Sequence, residues 1–233
     1  MKRNIIFFVL ILSTMLNSCS KVETANYSCD PIVNNWIIEN KTDLNNTTRE
    51  QLISLPINYQ IPIYRSLSNN KKQELWKAKI DLILTESDVY NEETLTLIEK
   101  FARSLSSEMF DPEQSESAKS LVDKFIANIF ELNPLVDSLS VVIDFASLYT
   151  YSELENYLHT NIVPDYSWLP GSIDVRGPIG STPDCLCRWS LTCSMLNMGH
   201  CDETYQCLST ESGCGFMFLY SCTGRCSGEV SLD

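Results

Sequence analysis

The chain has 233 residues, 44% of them hydrophobic and 20% charged, with 30 acidic residues against 17 basic ones and a formal net charge of −13. That balance excludes a surface that tracks nucleic-acid phosphates, and it gives no footing for electrostatic attraction to anionic lipid. Length and composition suit one helical domain plus a smaller unit, because eight of the ten cysteines are crowded between 185 and 226.

Met1-Lys2-Arg3-Asn4 forms a positive start, and the apolar run Ile5 to Leu12 is too short to span a bilayer. Residues 1–18 therefore read as an export signal. Its end, Leu16-Asn17-Ser18-Cys19, resembles a bacterial lipobox. The resemblance implies cleavage before Cys19, diacylglycerol on its sulfur and a third acyl chain on its amino group. Each buried methylene contributes about 0.8 kcal/mol, so such chains tether a protein to a membrane. The plainer alternative is an ordinary cleaved signal with an incidental cysteine. Removing Lys2 and Arg3 leaves 15 basic residues in the mature chain. The expected location is the cell envelope, as an outer-membrane or cell-surface lipoprotein.

Residues 19–160 read as an acidic helical domain. No glycine occurs between Asp30 and Thr160, and apolar residues recur at three- and four-residue steps. Trp36 with Ile37 and Ile38 marks a short early helix, and Trp76, Ile80, Ile83 and Leu84 form a stripe after Ser68. Asn91 is placed to cap a helix with Glu92 and Glu93 in its first turn and a stripe of Leu95, Ile98, Ala102 and Leu105, with Phe101 beside it. Asp111, Pro112 and Gln114 read as cap, first helical residue and capping-box partner. They precede a stripe through Ala118, Leu121, Val122, Phe125, Ile126, Ile129 and Phe130, which ends at Asn133-Pro134. Leu139 to Leu148 suits either a buried strand or a helix, and its neighbourhood favours the helix. Ser152-Glu153-Leu154-Glu155 reads as a capping box. Trp36, Trp76, Phe101, Phe125 and Phe130 are the expected aromatic core.

Composition shifts at 161–184, where Pro164, Pro170, Gly171, Gly177, Pro178, Gly180 and Pro183 make linker chemistry. Tyr166, Trp168 and Leu169 would let it wrap on the helices; Arg176 would let a trypsin-like enzyme cut it.

The last unit, 185–226, holds Cys185, Cys187, Cys193, Cys201, Cys207, Cys214, Cys222 and Cys226. So short a segment cannot bury a self-sufficient core and needs staples. Export places these sulfurs where disulfides form and persist. Eight cysteines allow 105 pairings, so the pairing is open, although Cys185 and Cys187 are too close to bond to each other. Cys29 is left either as a buried thiol or as an interchain partner. Zinc is disfavoured by long irregular gaps and a single nearby histidine, His200. No cofactor is implied. An enzyme is not expected either. His159 and His200 are far apart in the chain, and no nucleophile elbow, metalloprotease helix or phosphate loop occurs.

Gly213-Cys214-Gly215-Phe216-Met217-Phe218-Leu219-Tyr220 is the most distinctive run. As a strand it would set Phe216, Phe218 and Tyr220 on one face and Met217 and Leu219 on the other. Such a strand is either central under pinned loops or a partly exposed aromatic face that meets a receptor or a membrane interface.

Cys185-Leu186-Cys187, Cys193, Cys201, Cys207, Gly213-Cys214-Gly215, the aromatic run, Cys222 and Cys226 together resemble the eight-cysteine bacteriocin fulvocin C. The order of export signal, acidic helical region and cysteine-rich end is similar to the bacteriocin fulvocin C-related lipoproteins. The resemblance covers residues 185–226 directly and the helical part by general pattern, including Leu67-Ser68 before Leu75-Trp76. It implies a disulfide-locked, bacteriocin-like module. Two functions follow as expectations: an antibacterial peptide precursor whose C-terminal part is released, or a surface-anchored binding lipoprotein that meets an unknown cell-surface target. The expected fold is a bundle-like α-helical N-terminal domain followed by a small disulfide-rich β/loop domain.

Overall fold

A computed structural model of the protein describes residues 26–28, 31–55, 57–86, 88–154, 184–185, 201–202 and 212–226. The expected export signal, Cys19, Cys29, the expected linker up to 183, His159, His200, Cys187, Cys193 and Cys207 lie outside the described residues.

Local capping chemistry sets several helix starts. Thr48 accepts from the Gln51 amide while Gln51 Oε1 accepts from the Thr48 amide, a reciprocal box that opens a short helix. Asn91 accepts from the Thr94 amide at 2.8 Å and carries Glu92 and Glu93 into the first turn, as its sequence predicts. The helices are α1 (Pro31–Leu44), α2 (Arg49–Ser54), α3 (Ile57–Ser66), α4 (Asn69–Glu86), α5 (Glu92–Ser104), α6 (Ser115–Leu132) and α7 (Ser138–Ala146). Two 3-10 turns, Ser107–Phe110 and Pro112–Gln114, join α5 to α6. Asp111 accepts from the Glu113 amide and Pro112 follows it, but Gln114 makes no side-chain cap, so a 3-10 turn precedes the α-helix there. The ambiguous Leu139–Leu148 stretch is helical.

One core joins these helices. Phe101 and Phe125 stack at 3.9 Å, and Phe145 meets Phe125 edge-on at 5.1 Å. Trp76 is fully buried, whereas Trp36 is half-buried at the margin and Phe130 is 37% exposed, which corrects their expected place in the core. At about 100° per residue, Ala118, Val122, Phe125, Ile126 and Ile129 form one stripe, and Leu121 and Phe130 fall on its two edges. On α5 the buried line is Thr94, Ile98, Phe101 and Leu105, with Leu95 and Ala102 only half-buried.

Helix ends inside this core still need partners for their carbonyls. Lys79, with no exposed surface, donates to the carbonyls of Ile143 and Ser147 at the end of α7. Arg49, 2% exposed, donates to Leu148 O and holds Glu153 with both terminal nitrogens. Glu153 is also half of a capping box, but with Thr150 rather than Ser152: its carboxylate accepts from the Thr150 amide, and its own amide donates to Thr150 Oγ1. The helix opens at Tyr151, two residues before the start that Ser152 as a cap implies, and Arg49 fixes Glu153 there from a helix 104 residues away; Glu155 of the expected box lies outside the described residues.

Strand is scarce. β1 (Asp184–Cys185), β2 (Cys201–Asp202) and β3 (Gly224–Cys226) make one small antiparallel sheet in the order β1-β3-β2. A helical N-terminal body followed by a disulfide-bonded end with little strand is the fold class expected. No described helix is long and apolar enough to cross a membrane.

Replacing Glu153 with Ala leaves the buried Arg49 guanidinium without its carboxylate. We expect a loss of about 2–4 kcal/mol, toward the low end because Glu153 is partly solvated, and a smaller loss for Glu153→Gln. Urea midpoints of the two variants measure the difference.

Candidate functional site

Gly213 and Gly215 begin the distinctive run, and both have positive φ, 116° and 65°. Between Cys214 and Cys222 the chain has only eight steps, and a disulfide closes them with the two Cα atoms 5.2 Å apart. A loop this tight cannot continue as a strand. Phe216–Phe218 forms a 3-10 turn in which Met217 (φ 52°) and Phe218 (φ 57°) are both left-handed. Each such residue costs on the order of 1–3 kcal/mol and persists only where its surroundings over-determine it. Here the disulfide and the pairing of Cys214 with Tyr220 hold the base: each amide donates to the other's carbonyl at 3.0 Å.

The expected interaction strand is therefore corrected to a knuckle. Phe216 and Phe218 share no strand face with Tyr220, and the true central strand is β3. Nor do the aromatic tips face outward. Phe216, Met217, Phe218 and Leu219 are buried within the same core as the helices. Phe218 meets Tyr64 edge-on at 4.9 Å and Trp76 at 5.7 Å. The Trp76 indole N–H donates to the Tyr64 hydroxyl at 3.0 Å, which fixes both rings of the socket. A run apolar on both faces cannot be covered by a domain of 42 residues, so it takes its cover from the helices. At about 1.5–3 kcal/mol per large apolar side chain, the four contribute roughly 6–12 kcal/mol to the docked state.

A polar rim surrounds this apolar centre. Arg65 donates through Nε to Ser212 O at 3.1 Å, through one terminal nitrogen to Tyr27 O at 3.0 Å, and through the other to Cys222 Sγ at 2.9 Å. A Cβ on Gly213 would lie 2.5 Å from Arg65 Nε, so the glycine serves both the backbone angle and this close approach. On the other side Tyr220 donates to Asp123, and Lys119 sits 5.8 Å over its ring. Lys72 lies 5.5 Å over Tyr64. Burial pushes Lys72 down to about 8, and the charges of Lys41 and Arg65 add to the effect. Burial likewise raises the Tyr64 hydroxyl far above its ordinary range.

Of the eight cysteines expected in disulfides, Cys201, Cys214, Cys222 and Cys226 are disulfide-bonded, and Cys201 pairs in register with Cys226 across β2 and β3. Cys185 pairs in register with Gly224. Sequence reasoning missed Arg65, Tyr64 and Asp123. Arg65 is the one charged residue of α3, which is a signal, but its partner Ser212 is 147 residues away.

A second feature is a cleft of about 380 Å³ bounded by Leu82, Ile83, Glu86, Val89, Asp144 and Tyr151, among others. Burial holds Asp144 above the usual carboxylate range, opposed by Lys79, which burial in turn pushes down to about 7. Asp144 accepts from Tyr90 at 2.8 Å and from the Tyr151 amide at 3.0 Å. Its carboxylate is spent on bracing α7 against its neighbours. Among the described residues no cluster of side chains is arranged to hold a metal ion.

No family model, curated protein or solved structure matches the chain.

Opening the knuckle should unsettle the helices as well as the tail. For Cys214→Ser with Cys222→Ser we expect a loss of about 2–3 kcal/mol from loop entropy alone. Trp76 fluorescence should shift, because the socket loses its filling. Gly213→Ala should lower the melting temperature in the same direction.

Stability should also respond to alkaline pH. Lys72 and Lys79 have folded values below their ordinary 10.5, so the unfolded chain binds more protons and their contribution is lost as pH falls through about 8 and about 7. Tyr64 and Tyr90, both raised, act only above pH 10 or so. The melting temperature should climb between pH 7.5 and 9.5. Lys72→Met, whose charged neighbours are Lys41 and Arg65 rather than Asp144, should flatten part of that rise.

Proposed function

We propose that the protein is an exported lipoprotein, tethered through acyl chains on Cys19, whose cysteine-rich end works as an attached, disulfide-locked recognition module for a cell-surface target. The observation that carries this reading is the burial of Phe216–Leu219 in the core of the helical body. A module that shares its core with the tethered part is suited to stay with it. The lipobox-like Leu16-Asn17-Ser18-Cys19 supports the tether, and the acidic charge gives no reason to invoke nucleic acid.

A bacteriocin-like precursor is the second reading. It is favoured by the resemblance of 185–226 to fulvocin C and by the same knuckle, whose four apolar side chains would be presented to a target once detached. In that reading the helical body is the shield.

Cys19→Ser separates the tether from the rest. The wild-type chain should take up palmitate label and partition into the membrane fraction, and the variant should do neither. A full-length wild-type chain in the soluble fraction would overturn the tether. For the module, recovery of the full chain alone supports attachment. A fragment in the culture supernatant that begins between Pro164 and Cys185, and clears a lawn of a related strain, would overturn it in favour of the precursor.

A further inference from the structure

The contact between the helices and the knuckle belongs to the one continuous core, and it also has the anatomy of a binding interface. Its centre is one aromatic anchor, Phe218, in a pocket made by Tyr64 and Trp76. Its rim is polar: Arg65 reaches Ser212 O and Cys222 Sγ on one side, and Asp123 with Lys119 receives Tyr220 on the other. Apolar anchors inside a polar rim are where protein–protein affinity resides. The inserted element is also preformed. A disulfide and two cross-loop hydrogen bonds set the left-handed Met217 and Phe218 before any contact with the helices is needed. Preorganisation of that kind lowers the ordering cost of association. Every contact named between the two parts is non-covalent.

We infer that the helical body, residues 31–154, is a binding partner for the cysteine module in its own right, holding it and masking Phe216–Leu219 even when the chain between them is cut. The partner is thus a disulfide-closed aromatic knuckle with a carbonyl and a sulfur for Arg65 and a phenol for Asp123. Scission of the linker alone does not free the module, so a released form needs a second event that competes for the socket. This holds for either functional reading, because it concerns the interface and not the target or the anchor.

The test uses the full oxidised chain with a specific protease site inserted between Gly171 and Ser172. After complete cutting, the two fragments should co-elute on size exclusion at the mass of the uncut chain, with Trp76 emission unchanged. In the cut Phe218→Ala chain, retention should weaken by about 30-fold or more. In the cut Cys214→Ser, Cys222→Ser chain, it should weaken on the order of 10- to 100-fold. Tyr220→Phe, which keeps the ring and removes the hydroxyl that reaches Asp123, covers the case in which the harsher variants misfold; it should weaken retention several-fold while the uncut variant stays folded. Separation of the wild-type fragments on cutting overturns the inference. So does equal retention in all three variants. Failure of Cys19-dependent attachment leaves these outcomes untouched.

Discussion

Everything distinctive about this protein depends on the ring of Phe218 lying against Tyr64 and Trp76. The contact couples two problems that neither part of the chain solves alone. The helical body has a recess lined by aromatic rings, and an empty recess forfeits the packing of every atom that lines it. The cysteine-rich end has an apolar run with no room to bury it. Docking resolves both together, and it buries a loop whose closure already carries Met217 and Phe218 in left-handed conformations. The disulfide contributes by removing open conformations of the loop rather than by adding contact.

Around this centre the protein uses buried cations as structural ties. Arg65 ties the knuckle, Lys79 ties the end of α7, and Arg49 ties Glu153 and Leu148 O. Helices α2, α3 and α4 each supply one of these cations, in a chain whose net charge is strongly negative. Among the described residues most acidic side chains stay on the surface, while these few cations go inside and satisfy carbonyls that water cannot reach. Such ties are costly to break one at a time, because removing one partner strands the other.

What could be read from the residues was whatever depends on near neighbours. Asn91 with Glu92 and Glu93, the α6 stripe apart from Leu121 and Phe130 at its edges, and the end at Asn133 are contained within a few turns of chain, and they stand as the spacing predicts. The same holds for the helical nature of Ser138–Ala146, where periodicity was ambiguous but neighbourhood was not. What could not be read depends on distant partners. Alternation made Phe216, Phe218 and Tyr220 a strand face, since the pattern does not show that a disulfide spans only eight steps or that a socket waits on α3 and α4. The Thr150–Glu153 box was displaced in the reading for the same reason. Two overlapping Ser/Thr-x-x-Glu patterns compete there, and Arg49, from α2, selects one.

The cysteine density and the knuckle point to a division of labour within the last fifty residues. β3 is paired on both sides, to β1 and β2, and carries a cysteine in register with Cys201. It forms the frame of the module. The knuckle hangs from that frame by Cys222 and turns its apolar tip into the helices. If the frame is where a target is met, docking fixes its orientation on the body, and the proposed tether would fix the body's orientation toward the surroundings. If the knuckle itself is the active element, docking makes it silent. Both consequences follow from one contact, Phe218 against Tyr64 and Trp76, so the state of the socket bears directly on which face the module presents.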